Sequence, residues 1–378
     1  MKITGYRHLT TVRDWGRPIG DVNGIITSGK TPTDVVIVET DEGIEGISLG
    51  SVALIESVFP AIEGRDPRAV AALYDSMLAH TFKAGHQGAV FGTIGTLDTA
   101  LWDIKAKAAG EPLWRLLGAE DRLVPGYASG LDYGLTDEEL HHLYMDFAER
   151  GFTGGKLKGG TSSTDDVRRL GILSDALQRN CNTPALMLDA NESWNLKEAI
   201  RYMDRILDEV DLAWIEEPLR RWDYTGLARL SSTLKSAVAS GENLTGLEQF
   251  TPLIDSDAVD IVQAGANWGI THFLRVAAAA HFHHLPVSPV GLTANPSVAH
   301  AAAAVPNHMA AEVQHLGQPF GITVDEEVAD GGIVLGEAPG AGLTVDEVQI
   351  QGSAVEPEEW GVHNGPHVRA ARAGRQLL

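Results

Sequence analysis

Short apolar runs alternate with longer amphipathic stretches over most of the 378-residue chain. Eight of the runs are rich in aliphatic residues and are typical of buried strands. They are Val124 to Ser129, Phe152 to Lys158, Ala185 to Asn191, Leu212 to Glu217, Ala237 to Asn243, Asp260 to Gly265, Leu285 to Val290 and His308 to Val313. Helical patterns join consecutive runs, which predicts an α/β fold with a parallel sheet. Eight such units in about 210 residues favour a closed (β/α)8 barrel, with an open doubly wound sheet as the alternative.

The regions on either side of these runs have different patterns. Before them, a strand-like alternation is followed by the segment Thr93 to Leu117, which spaces its apolar residues as one helical face does until Gly110 and Pro112 end it. After them, the chain is rich in glycine and then mildly basic. We therefore predict an N-terminal domain, a barrel and a C-terminal segment that packs back on the N-terminal domain, at residues 1–123, 124–333 and 334–378.

Acidic residues outnumber basic residues by 51 to 29, which gives a formal net charge of −22. Such a surface repels phosphate backbones and anionic lipids, so we expect neither nucleic acid nor membrane as a partner. An anionic substrate would need lysines or a bound cation to reverse the sign locally. The single cysteine, Cys181, fits a reducing compartment. Because we find no signal-peptide core and no run long enough for a membrane span, we expect a cytoplasmic protein.

Three consecutive runs carry a carboxylate at their ends, in the segments LMLDAN, WIEEP and ASGEN. These are Asp189, Glu216 and Glu242, which follow one another at the spacing of one βα unit. The carboxyl ends of barrel strands meet at one face, with neighbouring strands about 4.8 Å apart, so the three side chains should converge. Converging carboxylates repel unless a cation lies among them, and oxygen ligands suit Mg²⁺. Helix capping explains any one of these acids, but three in consecutive units favour a metal site.

The run before them ends in Lys156-Leu157-Lys158. Side chains two apart on a strand share a face, about 6.6 Å apart, so both lysines should enter the barrel mouth. Two ammonium groups near a divalent cation favour the loss of a proton, which makes a lysine a usable base near neutral pH. A lone KxK is more often a solvated loop, but beside three acids it predicts a site.

Further polar residues are candidates for contacts with a substrate. Asn191 shares the parity of Asp189 and should face the same cavity. Glu312 ends the last run and is either an electrophile or hydrogen-bond donor to the substrate or a salt bridge at the rim. His86 lies in a glycine-flanked loop, KAGHQG, that could cover the mouth. Three other histidines are expected closer to the mouth than the rest, namely His300, His308 and His315.

The ordered motifs of the chain point to a family. DTALWDIKAKAAGEPLWRLLG is followed in order by KLK, LMLDAN, WIEEPL, SGEN and DIVQ. The sequence resembles the enolase superfamily, in particular its mandelate racemase and muconate lactonizing enzyme branch, over nearly the whole chain. The resemblance implies a modified (β/α)7β TIM barrel with an α+β N-terminal capping domain. It also implies a homo-oligomer, from a dimer to an octamer.

The resemblance implies roles for the candidate residues as well. Asp189, Glu216 and Glu242 would hold Mg²⁺, and the metal and Lys156 would bind a small-molecule carboxylate. Lys158 would remove the proton on the carbon next to that carboxylate, and Mg²⁺ would stabilise the enediolate. Specificity should come from the capping domain. There the loop Asp14 to Lys30 and the region Gly50 to Ala53 are the expected lid, and Arg17 and Asn23 could bind distal hydroxyls or a second carboxylate.

The sequence departs from the family at the second acid/base group. Racemases of this branch carry a His after the seventh strand, oriented by an Asp after the sixth, and these positions fall at Val290 and Gly265. The lysine that the muconate lactonizing type has after the sixth strand is also missing from QAGANWG. Acid/base chemistry is therefore expected on one face only, that of Lys158.

Three functions remain open at this point. A dehydratase of an acid sugar, an aldonate or an aldarate, can use a base and an acid on the same face, and we favour it. A racemase or epimerase would have to recruit its second donor from His86, His300 or His315. The third possibility is a barrel that binds Mg²⁺ and a carboxylate without turnover, although all three acids and both lysines are present.

Overall fold

A computed structural model describes residues 1–352, 357–358 and 367 of the chain. The basic positions Arg369, Arg372 and Arg375, within the predicted C-terminal segment, lie outside the described residues. Among the described residues, no helix is both long enough and apolar enough to cross a bilayer.

The N-terminal part contains a three-stranded antiparallel sheet, a small hairpin and a group of helices. Its strands are β1 (Ile3–Asp14), β2 (Ile19–Asp21), β3 (Gly24–Ile26), β4 (Lys30–Thr40) and β5 (Gly46–Leu49). Its helices are α1 (Ile55–Val58), α2 (Val70–His80), α3 (Gly88–Ala109) and α4 (Leu113–Leu116), with 3₁₀ turns at Phe59–Ala61 and Phe82–Ala84. The sheet has the order β1-β4-β5, and β2 and β3 form the separate hairpin.

The long helix α3 follows the sequence prediction closely. Its interior has many apolar residues three or four apart, and it ends where Gly110 adopts a left-handed φ of 70°. Glycine tolerates that conformation without a steric penalty, so the helix stops there. Its apolar face and those of α1 and α2 pack on one side of β1 and β4, which forms the core of the N-terminal part.

Eight parallel strands form the barrel. They are β6 (Leu123–Ser129), β7 (Gly154–Lys158), β8 (Ala185–Asp189), β9 (Trp214–Glu216), β10 (Ala237–Ser240), β11 (Ile261–Gly265), β12 (Val287–Val290) and β13 (Ala311–Val313). Each strand pairs with its neighbour in chain order from β6 to β12, and β13 pairs with β6. A bridge between Val287 and His308 joins β12 to the start of β13 and closes the barrel.

Seven helices connect these strands and cover the outside of the barrel. They are α5 (Asp137–Glu149), α6 (Ser163–Leu177), α7 (Leu196–Leu207), α8 (Tyr224–Thr233), α9 (Leu247–Asp255), α10 (Ile270–Phe282) and α11 (Val298–Ala304), and a 3₁₀ turn at Ala266–Trp268 precedes α10. Outward-facing residues of the strands and the inner faces of the helices make the main core of the molecule. The predicted modified (β/α)7β barrel with an N-terminal capping domain is therefore confirmed.

The chain after the barrel contacts both parts. It contains β14 (Ile322–Val324), β15 (Glu326–Ala329), β16 (Gly332–Leu335), β17 (Leu343–Val345) and α12 (Glu347–Gln351). Strand β16 pairs antiparallel with β6. Residues of β14, β17 and α12 pack on buried positions of β4 and β5. The domain boundaries at 123/124 and 333/334 stay predictions, and β16 spans the second of them.

Candidate active site

Strand β7 carries the two predicted lysines into the barrel. Lys156 is fully buried and Lys158 is 5% exposed, whereas Leu157 between them packs in the outer core. The backbone N–H of Lys158 donates to Oδ1 of the buried Asp132, at 3.1 Å. Tyr144 donates its hydroxyl to Oδ2 of Asp132, at 2.8 Å, and that hydroxyl also lies 2.5 Å from the carbonyl oxygen of Lys156. The backbone of both lysines is therefore held in place by Asp132 and Tyr144.

The predicted acids lie at the carboxyl ends of the next three strands. Asp189 and Glu216 are direct neighbours in the parallel pairing of β8 and β9, and both are fully buried. Glu242 follows β10 in the turn that leaves it, and it accepts a hydrogen bond from Asn243 Nδ2 at 3.1 Å. Apolar residues precede each acid, so the strand itself is buried and its acid emerges at the barrel mouth.

The lysines and acids form one buried network of ion pairs. The ammonium group of Lys156 contacts Glu216, lies 2.8 Å from Glu312 Oε1 and lies 3.6 Å from Asp189 Oδ2. Lys158 contacts Asp189 Oδ2. The structure thus brings together both lysines, Glu312 and two of the three predicted metal ligands. Burying so many charges is stable only when they are paired.

This network changes the protonation that the sequence suggested. The sequence predicts that the two ammonium groups, near a divalent cation, favour the loss of a proton. Lys156 does lower the pKa of Lys158, but attraction to the neighbouring carboxylates outweighs this effect in the present arrangement of charges. Burial does oppose the charge on each lysine, but attraction to Glu216 and Glu312 raises the pKa of Lys156, and attraction to Asp189 raises the pKa of Lys158. Both lysines are therefore held as ammonium ions by the neighbouring carboxylates.

Burial and mutual repulsion raise the pKa of two of the carboxylates, Glu216 and Glu242. Burial, followed by repulsion from Asp189, raises the pKa of Glu216 to about 8, although Lys156 opposes the shift. Burial and the nearby Glu217 raise the pKa of Glu242 well above its usual range. Asp189, Glu216, Glu242 and Glu312 are four acids facing two lysines, so full ionisation leaves two uncompensated negative charges. A divalent cation is the partner that restores the balance.

The donor set fits Mg²⁺ in chemistry. All the predicted ligands are hard oxygen donors, which Mg²⁺ prefers. Beside them, Asn191 donates to both oxygens of Asp189, and its own Oδ1 is buried with no hydrogen-bond partner among the described residues. Within the part of the chain that the structure describes, no three His, Cys, Asp or Glu side chains are already arranged around a single metal position. The ammonium groups of Lys156 and Lys158 explain this, because they contact the oxygens of Glu216 and Asp189.

Glu312 differs from both alternatives that the sequence left open. It is 2% exposed, so it is no salt bridge at the rim. Ser129 Oγ donates to its Oε1 at 2.7 Å and Gly291 N–H donates to its Oε2 at 2.8 Å. Burial alone would raise its pKa, but attraction to Lys156 and Lys158, together with the hydrogen bonds from Lys156 and Ser129, outweighs burial and lowers it. Glu312 is therefore an ionised acceptor that positions Lys156 in this arrangement of charges, and a role toward the substrate stays a prediction.

The position of the missing acid, Gly265, offers no room for a side chain. A Cβ atom at Gly265 would lie 2.5 Å from Glu242 O, 2.7 Å from Asn267 Oδ1 and 2.7 Å from Trp268 Nε1. Trp268 Nε1 also donates to Glu242 O, at 2.7 Å. Val290, which pairs with Gly265, is buried and apolar. The residue at the family's Asp position is thus Gly265, which Asn267 and Trp268 cover. The residue at the His position is Val290.

Of the two predicted lid residues, one already makes hydrogen bonds within the protein. Arg17 donates to the carbonyl oxygens of Gly130 and Pro18, so its guanidinium fixes the lid to the loop after β6. Asn23 is 8% exposed, and within the described part of the chain its buried Oδ1 has no hydrogen-bond partner. Of these two residues, Asn23 therefore has the free acceptor.

The histidines fall in different places. The ring of His86 lies 2.8 Å from Leu78 O, and its backbone carbonyl accepts from Thr245, three residues after Glu242. His315 stacks on Trp15 of the N-terminal part, with ring centroids 4.8 Å apart. His300 accepts from the Trp114 backbone N–H at 3.1 Å and so belongs to the helical layer.

His308 corrects our expectation about the mouth. It bridges Val287, the first residue of β12, and therefore lies at the amino end of the barrel, away from the mouth. We had placed it near the mouth because it belongs to the last apolar run, but it begins that run. The residues that sequence reasoning missed are Asp132 and Trp268, because each acts through a contact between distant segments and no local motif marks either one.

Comparison with known proteins decides the family. Residues 139–349 match the model of the enolase C-terminal domain-like family. Residues 10–118 match that of the mandelate racemase / muconate lactonizing enzyme N-terminal domain. The chain belongs to the mandelate racemase and muconate lactonizing enzyme branch of the enolase superfamily.

Two curated relatives of this enolase superfamily chain act on acid sugars, according to their names. The chain is 33% identical to the L-talarate/galactarate dehydratase of Salmonella typhimurium over 290 residues, which are 72% of each chain. It is 32% identical to the 3,6-anhydro-alpha-L-galactonate cycloisomerase of Streptomyces coelicolor over 286 residues, 75% of this chain and 78% of the relative.

Two solved structures extend the comparison. A racemase from Streptomyces coelicolor with bound magnesium has a TM-score of 0.83 at 27% identity, covering 92% of this chain and 99% of its own. The Salmonella dehydratase liganded with Mg and L-lyxarohydroxamate has a TM-score of 0.79 at 26% identity, covering 95% of both chains. The predicted magnesium cofactor is thereby confirmed at the level of the family.

Proposed function

We propose that this protein is a Mg²⁺-dependent dehydratase of an acid sugar, with Lys158 as the base. The observation that carries the proposal is the asymmetry of the mouth. Lys158 would act on one face of the substrate, whereas the two positions where the family has its second acid/base pair are Gly265 and Val290, and among the described residues Asn267 and Trp268 pack where a side chain on Gly265 would lie. Racemisation through a planar intermediate usually needs a proton donor on each face, whereas the base and the acid of a syn elimination of water can lie on the same face.

The bound carboxylate would meet a set of cationic groups. Asp189, Glu216 and Glu242 would hold Mg²⁺, which supplies, when bound, positive charge that stabilises the enediolate. Lys156 donates to the substrate carboxylate, and Glu312 keeps the ammonium group of Lys156 in position, at 2.8 Å. These groups explain how a strongly acidic protein can bind an anion.

The reaction then follows from the position of Lys158. In its neutral form, Lys158 Nζ takes the proton from the carbon next to the carboxylate, and the electron pair of that C–H bond moves toward the carboxylate. The bond from the neighbouring carbon to its hydroxyl group breaks as the electron pair returns. The ammonium group formed on Lys158 lies on the same face and gives its proton to the leaving hydroxide. The products are water and an enol, which tautomerises to a 2-keto-3-deoxy acid.

The ion pair between Lys158 and Asp189 offers a way to control whether Lys158 carries a proton. Asp189 holds the ammonium form in this arrangement of charges. A group that binds Asp189 in place of Lys158 removes this attraction and lowers the pKa of the lysine. The proposal therefore requires that Mg²⁺ and Lys158 compete for the same carboxylate.

The decisive experiment incubates the protein with Mg²⁺ and a library of aldonates and aldarates and measures 2-keto-3-deoxy acids. Lys158→Ala should lower the rate by about 10²-fold or more, because it removes the base. Lys235→Ala removes an exposed lysine before β10 and is the matched control, with unchanged rate expected. If no member of the library yields such a product, dehydration is wrong.

The racemase or epimerase alternative has its own signature. It predicts exchange of the proton next to the carboxylate in D₂O without loss of water. The histidines that would supply its second donor are otherwise engaged, because the ring of His86 lies 2.8 Å from Leu78 O, His300 accepts from Trp114 and His315 stacks on Trp15. Exchange with retention of all hydroxyl groups would overturn the dehydratase in favour of the epimerase.

A further inference from the structure

The hairpin of β2 and β3 brings an unassigned carboxylate to the barrel mouth. Asp21 ends β2 and pairs with Gly24 across a two-residue turn. Its Oδ1 accepts the backbone N–H of Asn23 at 2.6 Å. Ile19 and Ile26, at the base of the hairpin, are buried with Trp15 in a small apolar cluster. This anchoring makes the turn a fixed part of the lid and not a free loop.

Backbone contacts dock the hairpin over the site. Gly20 N–H donates to Leu131 O at 2.8 Å, and Tyr133 N–H donates to Gly20 O at 3.4 Å. These bonds form a bridge between Gly20 and Asp132, whose carboxylate accepts the backbone N–H of Lys158. Asp21 therefore lies next to the segment that holds Lys158, on the same side of the barrel as the base.

The charges around Asp21 agree with this position. Of the charged groups that act on its carboxyl, Lys158 acts most strongly and Asp189 acts next. Burial is the largest influence of all and raises the pKa of Asp21, while Lys158 opposes that shift. The carboxyl group of Asp21 is therefore close enough to the buried groups of the mouth for the charges of Lys158 and Asp189 to act on it.

Asn23 completes the arrangement. It lies in the same turn, it is 8% exposed, and no residue that the structure describes donates a hydrogen bond to its Oδ1. A buried amide oxygen without a donor is costly, and a ligand hydroxyl can supply that donor. Asp21 and Asn23 together present acceptor oxygens at the mouth.

Acceptor oxygens select between the two kinds of acid sugar. A hydroxyl group donates to a carboxylate or an amide oxygen, whereas a second carboxylate has no proton to donate and is repelled by Asp21. Arg17, which the sequence suggested for a second carboxylate, donates to Gly130 O and Pro18 O instead. The lid therefore suits a substrate whose far end carries hydroxyl groups.

We propose that Asp21, together with Asn23, binds distal hydroxyl groups of the substrate and makes the enzyme select aldonates over aldarates. This inference rests on the proposed function, and it names the substrate class of the same site. It also separates this chain from its diacid-acting relative, the L-talarate/galactarate dehydratase.

The test compares acids that differ only at the far carbon, such as gluconate with glucarate and galactonate with galactarate. The wild-type protein with Mg²⁺ should show a kcat/KM at least about tenfold higher for an aldonate than for its matched aldarate. Asp21→Asn keeps an acceptor oxygen but removes the charge, so it should shrink that ratio by about tenfold. Asn23→Ala should lower kcat/KM for the aldonate while leaving the aldarate unchanged.

The matched control is Asp14→Asn. Asp14 lies in the same lid region but is exposed, with its nearest cation, Lys30, 3.9 Å away. The substitution removes the same charge from the protein and should leave the ratio unchanged. A change in the ratio equal to that of Asp21→Asn would show that the net charge, and not the position of Asp21, decides selectivity.

A binding measurement keeps the inference separate from the reaction. Lys158→Ala with Mg²⁺ should bind the aldonate of a pair more tightly than its aldarate in calorimetry, and Asp21→Asn in that background should reduce the difference. If binding shows this preference while no product forms, the dehydratase proposal fails and the specificity inference stands. If no aldonate in the library binds more tightly than its matched aldarate, the specificity inference is wrong, whatever the activity.

Discussion

The replacement of Gly265 by alanine tests the reason why the second acid/base group is missing. The added Cβ would lie 2.5 Å from Glu242 O and 2.7 Å from Trp268 Nε1, two atoms that are hydrogen-bonded to each other. Both distances are far below an ordinary van der Waals contact, so the 3₁₀ turn and the segment of Glu242 must move apart. We expect the substitution to disturb stability and metal binding together.

The magnitude follows from the two contacts. Overpacking a dense site costs about 1–3 kcal/mol, and loss of the bond between Trp268 and Glu242 adds about 1 kcal/mol. The free energy of unfolding should therefore fall by about 2–4 kcal/mol in chemical denaturation. Since Trp268 orients the segment that carries Glu242, the affinity for Mg²⁺ should fall by about tenfold or more in calorimetry.

A second glycine supplies the control. Gly171 lies in α6, and a Cβ there would have no heavy atom within 4 Å. Gly171→Ala should leave Mg²⁺ affinity unchanged and raise stability by about 0.5–1 kcal/mol, because alanine favours the helix. If Gly265→Ala unfolds within about 0.5 kcal/mol of the wild type and binds Mg²⁺ equally well, the steric argument is refuted.

Three further predictions concern other parts of the molecule. Tyr144→Phe removes the hydroxyl that donates to Oδ2 of Asp132. The free energy of unfolding, measured by denaturation, should fall by about 1–3 kcal/mol. An unchanged value would contradict a role for Tyr144 in holding β7. Removal of Mg²⁺ by a chelator should abolish product formation, and Mg²⁺ alone should restore it; activity that persists in the chelator would refute the metal role. Burial lowers the pKa of His300 from 6.5 to about 4. As the pH falls, the ring therefore takes up a proton in the unfolded chain before it does so in the folded chain. The free energy of unfolding should fall between pH 6.5 and pH 4, by up to about 3 kcal/mol. His300→Asn should lose that part of the pH dependence, and an unchanged pH profile would show that the ring is not held neutral.

The strands and their terminal acids were predictable because they follow from local patterns. Each apolar run predicted a buried strand, and the polar residue after the run then had to emerge at the carboxyl end. Asp189, Glu216 and both lysines are accordingly found at the mouth. His308 shows the limit of this reasoning, because the same run has two ends and only the pairing with β12 distinguishes them.

The contacts between distant segments were not predictable from local patterns. Asp21 reaches the mouth only because Gly20 pairs with the loop after β6. The protonation of the lysines depends on Glu312 as well as on the acids beside them, and the parity of one strand does not report that balance. The sequence therefore indicates which residues meet, whereas the charge that each one carries depends on all its neighbours at once.

The close contact between α3 and the turn before α10 has a consequence for how such enzymes diversify. A Cβ atom at Gly95 would lie 2.4 Å from the backbone of Trp268, and one at Gly269 would lie 2.7 Å from Gly95 Cα, so neither glycine tolerates a side chain. Asp98 accepts two hydrogen bonds from Thr271. These contacts fix the N-terminal part to the barrel next to Asn267 and Trp268, which pack at the position of the second acid/base group. Exchange of the whole N-terminal part between relatives would disrupt these contacts. The hairpin of β2 and β3 docks elsewhere, on the loop after β6, so it can change to suit a new substrate without disturbing them.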